Sequence, residues 1–536
     1  MARAGRPQVV IVGAGPVGLA LAIELGHRGI ACLVVERNDR VGYAPRAKTT
    51  HVRTREHLRR WGIADRLRAA SPLGVDYPST VLFVTRLAGY RLARFENAFN
   101  CAPARDDRYS EHAQWIPQYS LEEVLRAHAQ TLPSVAIRFG REFTGCTQDA
   151  HEVRAQLRDI ASGATETIAC DYLLGADGTR SAVREAIGAR LSGQHGLSRN
   201  YNFVFRAPGL AQAHRHEPAI MYWQVNPDFP GLIGPMDRGD IWFFMPTGVK
   251  PEVKLSQLDG ASLIRTATGI DHKYEVLSSD EWTASRLIAD RYRQGRVFLA
   301  GDACHLHPPF GGYGMNMGIA DSVDLGWKIA AVLQGWGGSA LLDSYERERR
   351  PVHSWVMDEA VANHAVLGNQ LWQDGLETPG PAGDSLRATV GARIQELKKR
   401  EFNTIGVVLG YCYEESPVIV ADGSAAPPRG SSYSPCARPG HVAPHAWLDN
   451  GMSLYDCFGP GFTLLATRDA TADDIADVER AAGEAGIPLS VMRSDDAGIA
   501  ALYQARYAVI RPDQHVAWRG NDAPPRAVLE RIAGRA

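Results

Sequence analysis

The residues that could do chemistry begin at Gly13-Ala14-Gly15-Pro16-Val17-Gly18, which follows directly on Gln8-Val9-Val10-Ile11-Val12. The β-branched run reads as a buried parallel strand. Leu19 to Leu25 reads as a helix closing near Gly29, and Ala31-Cys32-Leu33-Val34-Val35 as a second strand ending at Glu36. In a strand–GxGxxG–helix–strand–acid unit each glycine has a task. Gly13 permits the tight turn, Gly15 lets a pyrophosphate approach the backbone, and Gly18 lets helix and strand pack closely. The helix start, opened by Pro16, turns a positive dipole end and the free N–H groups from Val17 onward toward phosphates. Glu36, with Arg37 beside it, can accept hydrogen bonds from a ribose diol. A dinucleotide is expected here. The loop alone does not choose between a flavin and a nicotinamide.

Two later segments repeat the pattern of a strand ending at an acid. Tyr172-Leu173-Leu174-Gly175 runs into Ala176-Asp177-Gly178 and a helix start. Arg296-Val297-Phe298-Leu299-Ala300-Gly301 ends at Asp302, the kind of strand end at which an open α/β sheet places ligand contacts. The chain continues through His305, His307, Pro308 and Pro309 into Gly314-Met315-Asn316. A helix follows with apolar Ile319, Val323, Ile329 and Leu333.

These three segments, in this order, resemble the class A flavoprotein aromatic hydroxylases, the group containing para-hydroxybenzoate hydroxylase and phenol hydroxylase. The matching motifs are GxGxxG at 13–18, DG at 177–178 and GD at 301–302. The resemblance implies FAD as bound cofactor and NAD(P)H as co-substrate, with no second Rossmann unit for the nicotinamide. It implies an α/β fold: a Rossmann-like FAD-binding domain with an inserted β-sheet substrate domain and, as in the phenol hydroxylase branch, a C-terminal thioredoxin-like α/β domain. The expected boundaries are 1–80, 105–190 and 285–365 for the FAD-binding domain, and 81–104 with 191–284 for the substrate sheet. A helical segment and linker at 366–445 and the thioredoxin-like domain at 446–536 complete the chain. The implied reaction is hydroxylation of a phenolic ring by O2 through a flavin C4a-hydroperoxide. Polyketide tailoring, by hydroxylation or Baeyer–Villiger insertion, and a non-catalytic FAD-binding redox protein are the alternatives. The flavin halogenase signature WxWxIP is missing, since Trp115-Ile116-Pro117 lacks the first Trp. A homodimer is implied by analogy alone.

The resemblance also nominates individual residues. Asp177, Gly178 and Asp302 are expected at the cofactor, as is an Arg just after the second strand, with Arg46 the better match and Arg53 the rival. Gln118, just before a helix, matches a residue near the flavin ribityl and phosphate. Free N–H groups at Gly314, Met315 and Asn316 can face the flavin pyrimidine, where negative charge gathers on reduction. Pro308 and Pro309 form a stiff turn beside the ring. His307 and Tyr313 are candidates for the substrate cleft, together with Tyr222 or Trp223 from an aromatic strand. His305 is expected to pack beside the GD turn. His305 and His307 alone make an incomplete metal site, and no metal is expected. Tyr345-Glu346-Arg347-Glu348-Arg349-Arg350-Pro351 resembles a Y-x-x-E-R-x-P segment, and its charges are expected on a solvated helix face. No catalytic base can be assigned.

Composition narrows the setting. The chain has 536 residues, 45% hydrophobic and 22% charged, which excludes wholesale disorder. Lys+Arg 58 against Asp+Glu 60 leaves no basic excess for nucleic acid. Eight cysteines include no CxxC pair, which fits thiols in a reducing cytoplasm. No apolar window approaches a membrane span. Five prolines within 421–445 mark a linker or extended connection.

Overall fold

The computed structural model describes residues 6–38, 47–247, 249, 254, 259–365 and 370–536. Strand Val9–Val12 is buried along its whole length and lies between two parallel neighbours, Cys32–Glu36 and Tyr172–Gly175. Val297–Leu299 pairs parallel with Tyr172–Gly175, Val135–Phe139 pairs parallel with Cys32–Glu36, and Arg293–Gln294 closes the far edge. The order Val297–Leu299, Tyr172–Gly175, Val9–Val12, Cys32–Glu36 sets four strand ends side by side. The GD turn, the DG turn, the glycine loop and Glu36 therefore leave the sheet at one edge, the edge at which open parallel sheets bind ligands.

The second layer is an eight-stranded sheet gathered from separated parts of the chain. Its order is His305–Leu306, Glu275–Ala289, Leu191–Arg206, Ile241–Pro246, Gly231–Pro235, Met221–Gln224, Val81–Val84, Arg91–Phe95. Side chains alternate between its faces. Tyr201, Phe203, Tyr222, Trp242 and Phe244 pack on one side with helix Gly260–Thr268. Phe83, Trp223 and Phe243 pack on the other with Trp115, Phe310 and Phe402. Helix Pro381–Phe402 covers part of that second face through Val390, Ile394 and Phe402.

The C-terminal unit is thioredoxin-like. Leu489–Ser494 and Phe462–Thr467 run parallel, and Tyr507–Ile510 and Val516–Gly520 extend the sheet antiparallel. One of its two core clusters is shared with the rest of the chain. Phe462 packs edge-on against Trp327 and Trp336, which belong to the helix Tyr313–Leu333 and the turn after it. The connection before it is only partly solvated, since His441, Val442, Ala443 and His445 are buried.

One expectation fails here. Glu348 and Arg349, in helix Ser339–His364, are fully buried rather than on a solvated face. Glu348 accepts from Lys328, Arg511 and Ser416, and Arg349 donates to Asp321. Local charge density suggested solvent, but each charge has a buried partner distant in sequence. Among the described residues no helix is long and apolar enough to cross a membrane.

Candidate active site

The glycine loop is built by close backbone approach. A Cβ on Gly13, whose φ is +105°, would lie 2.3 Å from the Ala176 carbonyl oxygen, and one on Gly18 would lie 1.9 Å from that of Gly13. Only glycine fits either place. A Cβ on Gly15 or Gly178 would meet nothing within 4 Å, so both turns face open space. Glu36 organises the loop it follows: its carboxylate accepts the Ala14 N–H at 2.9 Å and the Asn38 N–H at 2.9 Å. Arg37 is exposed beside it, and Arg46 lies outside the described residues.

The other motifs close on this loop through Val17. A Cβ on Gly301 or Gly318 would come within 2.8 or 2.6 Å of the Val17 side chain, and Ser322 Oγ donates to the Val17 carbonyl at 2.8 Å. Asp302 is exposed next to Gly301. The Asp177 carboxylate turns toward its own helix, accepting from Ser181 Oγ at 2.5 Å and the Val183 N–H at 3.1 Å, and burial raises its pKa. Gly178, not the Asp177 side chain, is the part of the DG turn left open. Gln118 begins helix Gln118–Ala129 and donates to Glu122 at 2.7 Å.

Helix Tyr313–Leu333 starts behind Gly312, whose φ is +70°, and leaves the N–H groups of Tyr313, Gly314 and Met315 without helical acceptors. The Asn316 amide is wholly committed to protein. It accepts from the His51 N–H at 2.8 Å and Thr54 Oγ1 at 2.7 Å, and donates to the Thr49 and Gly312 carbonyls at 2.9 and 2.8 Å. Its task is to fix the helix start against the segment after the second strand. One turn and more further along, Asp321 accepts from Gly301 N–H at 3.0 Å, Arg349 Nε at 2.7 Å and His305 Nε2 at 2.7 Å. His353 stands 2.9 Å from the same carboxylate. The GD turn is thus held by a buried carboxylate the sequence did not single out. Cys304, His305 and Asp321 bring ligand-type atoms within 4.8 Å of one another. The Asp321 oxygens are occupied by these donors, and burial pushes the Cys304 thiol well above its usual range.

The substrate candidates separate. Tyr222 is buried on the far face of the sheet, its hydroxyl donating to the Glu217 carbonyl at 2.9 Å. Tyr313 is buried against Val52, Tyr109 and Met317, away from the aromatic face of the sheet. Trp223 does lie on that face, stacked on Phe83 at 5.7 Å and on Phe310 at 6.2 Å. Pro308 is buried in the same turn as Phe310. His307 stands beside the helix start, its Cβ 3.7 Å from where a Gly314 Cβ would be. Both its ring nitrogens are buried without a hydrogen-bond partner, and burial with His305 and His353 nearby holds it neutral, well below the usual histidine range. Sequence reasoning missed Phe310, Asp321 and Lys48. Lys48 reaches the aromatic face with its Nζ 4.1 Å from the Phe243 ring centroid.

Arg53 is turned to protein partners. It is buried and donates to Glu56 at 3.0 Å, to Gln514 Oε1 at 2.6 Å and to the Asp513 carbonyl of the C-terminal unit. In the same turn Arg511 donates to Glu348 at 2.7 and 2.9 Å and to Asp324 of the Tyr313–Leu333 helix at 2.8 Å. Gln514 holds a φ of +65°, costly for a non-glycine residue.

Comparison with known proteins agrees with this geometry. Residues 6–360 match the FAD binding domain family and residues 436–536 match the C-terminal domain of aromatic-ring hydroxylases. The chain belongs to the FAD-dependent aromatic-ring hydroxylases. It is 34% identical to a tetracenomycin B2 monooxygenase-dioxygenase of Streptomyces olivaceus, over 98% of both chains. It superposes on the rebeccamycin biosynthetic enzyme RebC with reduced flavin at a TM-score of 0.91, 34% identity and 99% of each chain. It superposes on aklavinone-11 hydroxylase in complex with FAD and aklavinone at a TM-score of 0.83 and 30% identity, covering 99% of this chain and 100% of that one. FAD is the cofactor of this site. The open turns at Gly15 and Gly178 and the helix-start N–H groups without helical acceptors fit such a dinucleotide.

Proposed function

We propose that the protein is an NAD(P)H-dependent monooxygenase that hydroxylates a phenolic, polycyclic aromatic substrate. One observation carries the reading. The glycine loop, the GD turn and the helix start converge through Val17, and the turn that follows the GD motif lays Phe310 on the aromatic face of the second sheet. Cofactor cradle and flat apolar surface are thus joined by 301–314.

Bound FAD, once reduced, supplies the activation of O2; the chain's residues bind, orient and dry the site. The 13–18 loop would hold the pyrophosphate, and Glu36 and Asp302 would accept hydrogen bonds from the hydroxyls of the ribose and ribityl parts. The Tyr313, Gly314 and Met315 N–H groups would stabilise negative charge on the bound ring. Trp223, Phe310 and Phe243 exclude water and hold a planar ring, and neutral His307 offers hydrogen bonds at its edge. The relatives' names, a tetracenomycin oxygenase and an aklavinone hydroxylase, support a polycyclic phenol, and a nitrocatechol monooxygenase among them keeps single rings in the test.

The test follows NADH and NADPH oxidation, oxygen uptake and peroxide together on the FAD-loaded protein, against simple phenols and polycyclic phenols. Substrate-stimulated oxidation with little peroxide and a product heavier by one oxygen is expected. No stimulation in either set would sink the proposal.

A further inference from the structure

Lys48 lies where the two halves of the site meet. Its carbonyl accepts the Ile116 N–H at 2.8 Å, and the next residue, Thr49, holds Asn316 at the start of the flavin helix. Thr49 also pairs with Trp115, itself part of the aromatic face. The main chain of Lys48 therefore belongs to the cofactor side.

Its side chain belongs to the substrate side. The ammonium is 4.1 Å from the Phe243 ring centroid and 4.0 Å from Met245 Sδ. Both residues lie on strand Ile241–Pro246, and both pack with the cluster containing Trp223 and Phe310. Among the described residues no carboxylate lies within ion-pair distance of it. Burial lowers its pKa from 10.5 to about 8, and Asp280 on strand Glu275–Ala289 opposes that only in part. A half-buried lysine whose ammonium has a ring and a thioether as near neighbours is a cation lacking its anion.

We infer that Lys48 supplies the counter-charge for the substrate, receiving the ionised oxygen of a phenol that lies against Phe243. The inference rests on the monooxygenase reading above and names its substrate form: the phenol is held as its phenolate, its proton having left to solvent. Ionisation pushes electron density into the ring, which favours attack on an electrophilic oxygen. The same charge would reject neutral polycyclic hydrocarbons of similar shape. Lys48 is thus a residue for both specificity and activation.

Alizarin, a hydroxyanthraquinone whose visible band reports ionisation, serves as probe on the FAD-loaded protein. Bound to the wild type it is expected to ionise at lower pH than in water. Lys48→Met should raise the bound probe's pKa by about one unit, weakening the phenolate form about tenfold. Lys48→Arg, which keeps the charge, should restore most of the shift. FAD affinity, read from quenching of flavin fluorescence, should stay within about twofold in both variants. An unshifted pKa for alizarin bound to the wild type, or the same pKa in Lys48→Met, overturns the inference and leaves the monooxygenase reading standing. Loss of FAD affinity in Lys48→Met with no change in the probe assigns Lys48 to the cofactor, and overturns it too. Failure of the wild type to bind alizarin or any other polycyclic phenol overturns that reading together with the inference.

Discussion

Lys48 also predicts its own cost. Its folded-state pKa of about 8 lies below the usual 10.5, so folding releases a proton between those values and stability rises with pH across that window. At neutral pH both folded and unfolded chains carry the charge, and burying it costs on the order of 3 kcal/mol. Lys48→Met should therefore stabilise the protein by about 2–3 kcal/mol in urea unfolding at neutral pH, with the gain shrinking in the alkaline range. Equal stability at neutral pH would mean the ammonium is better solvated than its surroundings indicate. The glycines of the loop make a second residue-scale prediction, because their neighbours differ. Gly18→Ala drives a Cβ to 1.9 Å from the Gly13 carbonyl oxygen and should prevent accumulation of folded protein. Gly15→Ala has room, so it should fold normally. Its methyl takes the space of the pyrophosphate and should weaken FAD about tenfold, some 1.4 kcal/mol, by fluorescence titration. Normal FAD affinity in folded Gly15→Ala would place the phosphates elsewhere.

At the scale of elements, the helix Tyr313–Leu333 depends on Asn316. Asn316→Ala leaves the His51 N–H and the Thr49 carbonyl without that partner, and should cost about 1–3 kcal/mol. Since the tie fixes the helix start, FAD should bind more weakly as well, which denaturation and flavin titration would read separately. The elements were largely legible. Strands ending at Glu36, Gly175 and Leu299 could be read because a run of β-branched and apolar residues ends at glycine and an acid, and all of that signal is local. Side-chain direction was not. In Met221–Gln224 adjacent aromatics must face opposite ways, but nothing within the strand says which face meets the turn after the GD motif, and Trp223, stacked on Phe310, rather than Tyr222 does. Tyr313 likewise lies at the expected helix start yet turns into the core. Lys48 was in plain view in Pro45-Arg46-Ala47-Lys48, but its apolar setting comes from Phe243 and Met245, nearly two hundred residues away. Tertiary contact also hid the burial of Glu348 and Arg349, whose partners arrive from another helix and from the C-terminal unit.

At the scale of the molecule, the turn 511–515 grips two elements of the candidate cofactor site. Through Arg53 it reaches helix Val52–Arg60, whose Thr54 holds Asn316. Through Arg511 it reaches Asp324 on the flavin helix itself. Arg511→Met would strand Glu348, Asp324 and Asp513 around Lys328 and should destabilise the protein by about 3–5 kcal/mol. Calorimetry of the wild type should show one transition in which both units melt together. Two well-separated transitions would mean that the grip is weak.

The shared seam has a consequence for how such a chain can change over generations. Asp324, Lys328, Glu348, Arg511 and Asp513 come from two helices and the C-terminal unit but satisfy one another in a single buried knot. A drift at any one of them strands a charge that only a matching change at another can relieve. The C-terminal unit cannot then be exchanged between relatives as a separate module. A hybrid would inherit a working cofactor site only if the receiving helices travelled with the turn that fits them.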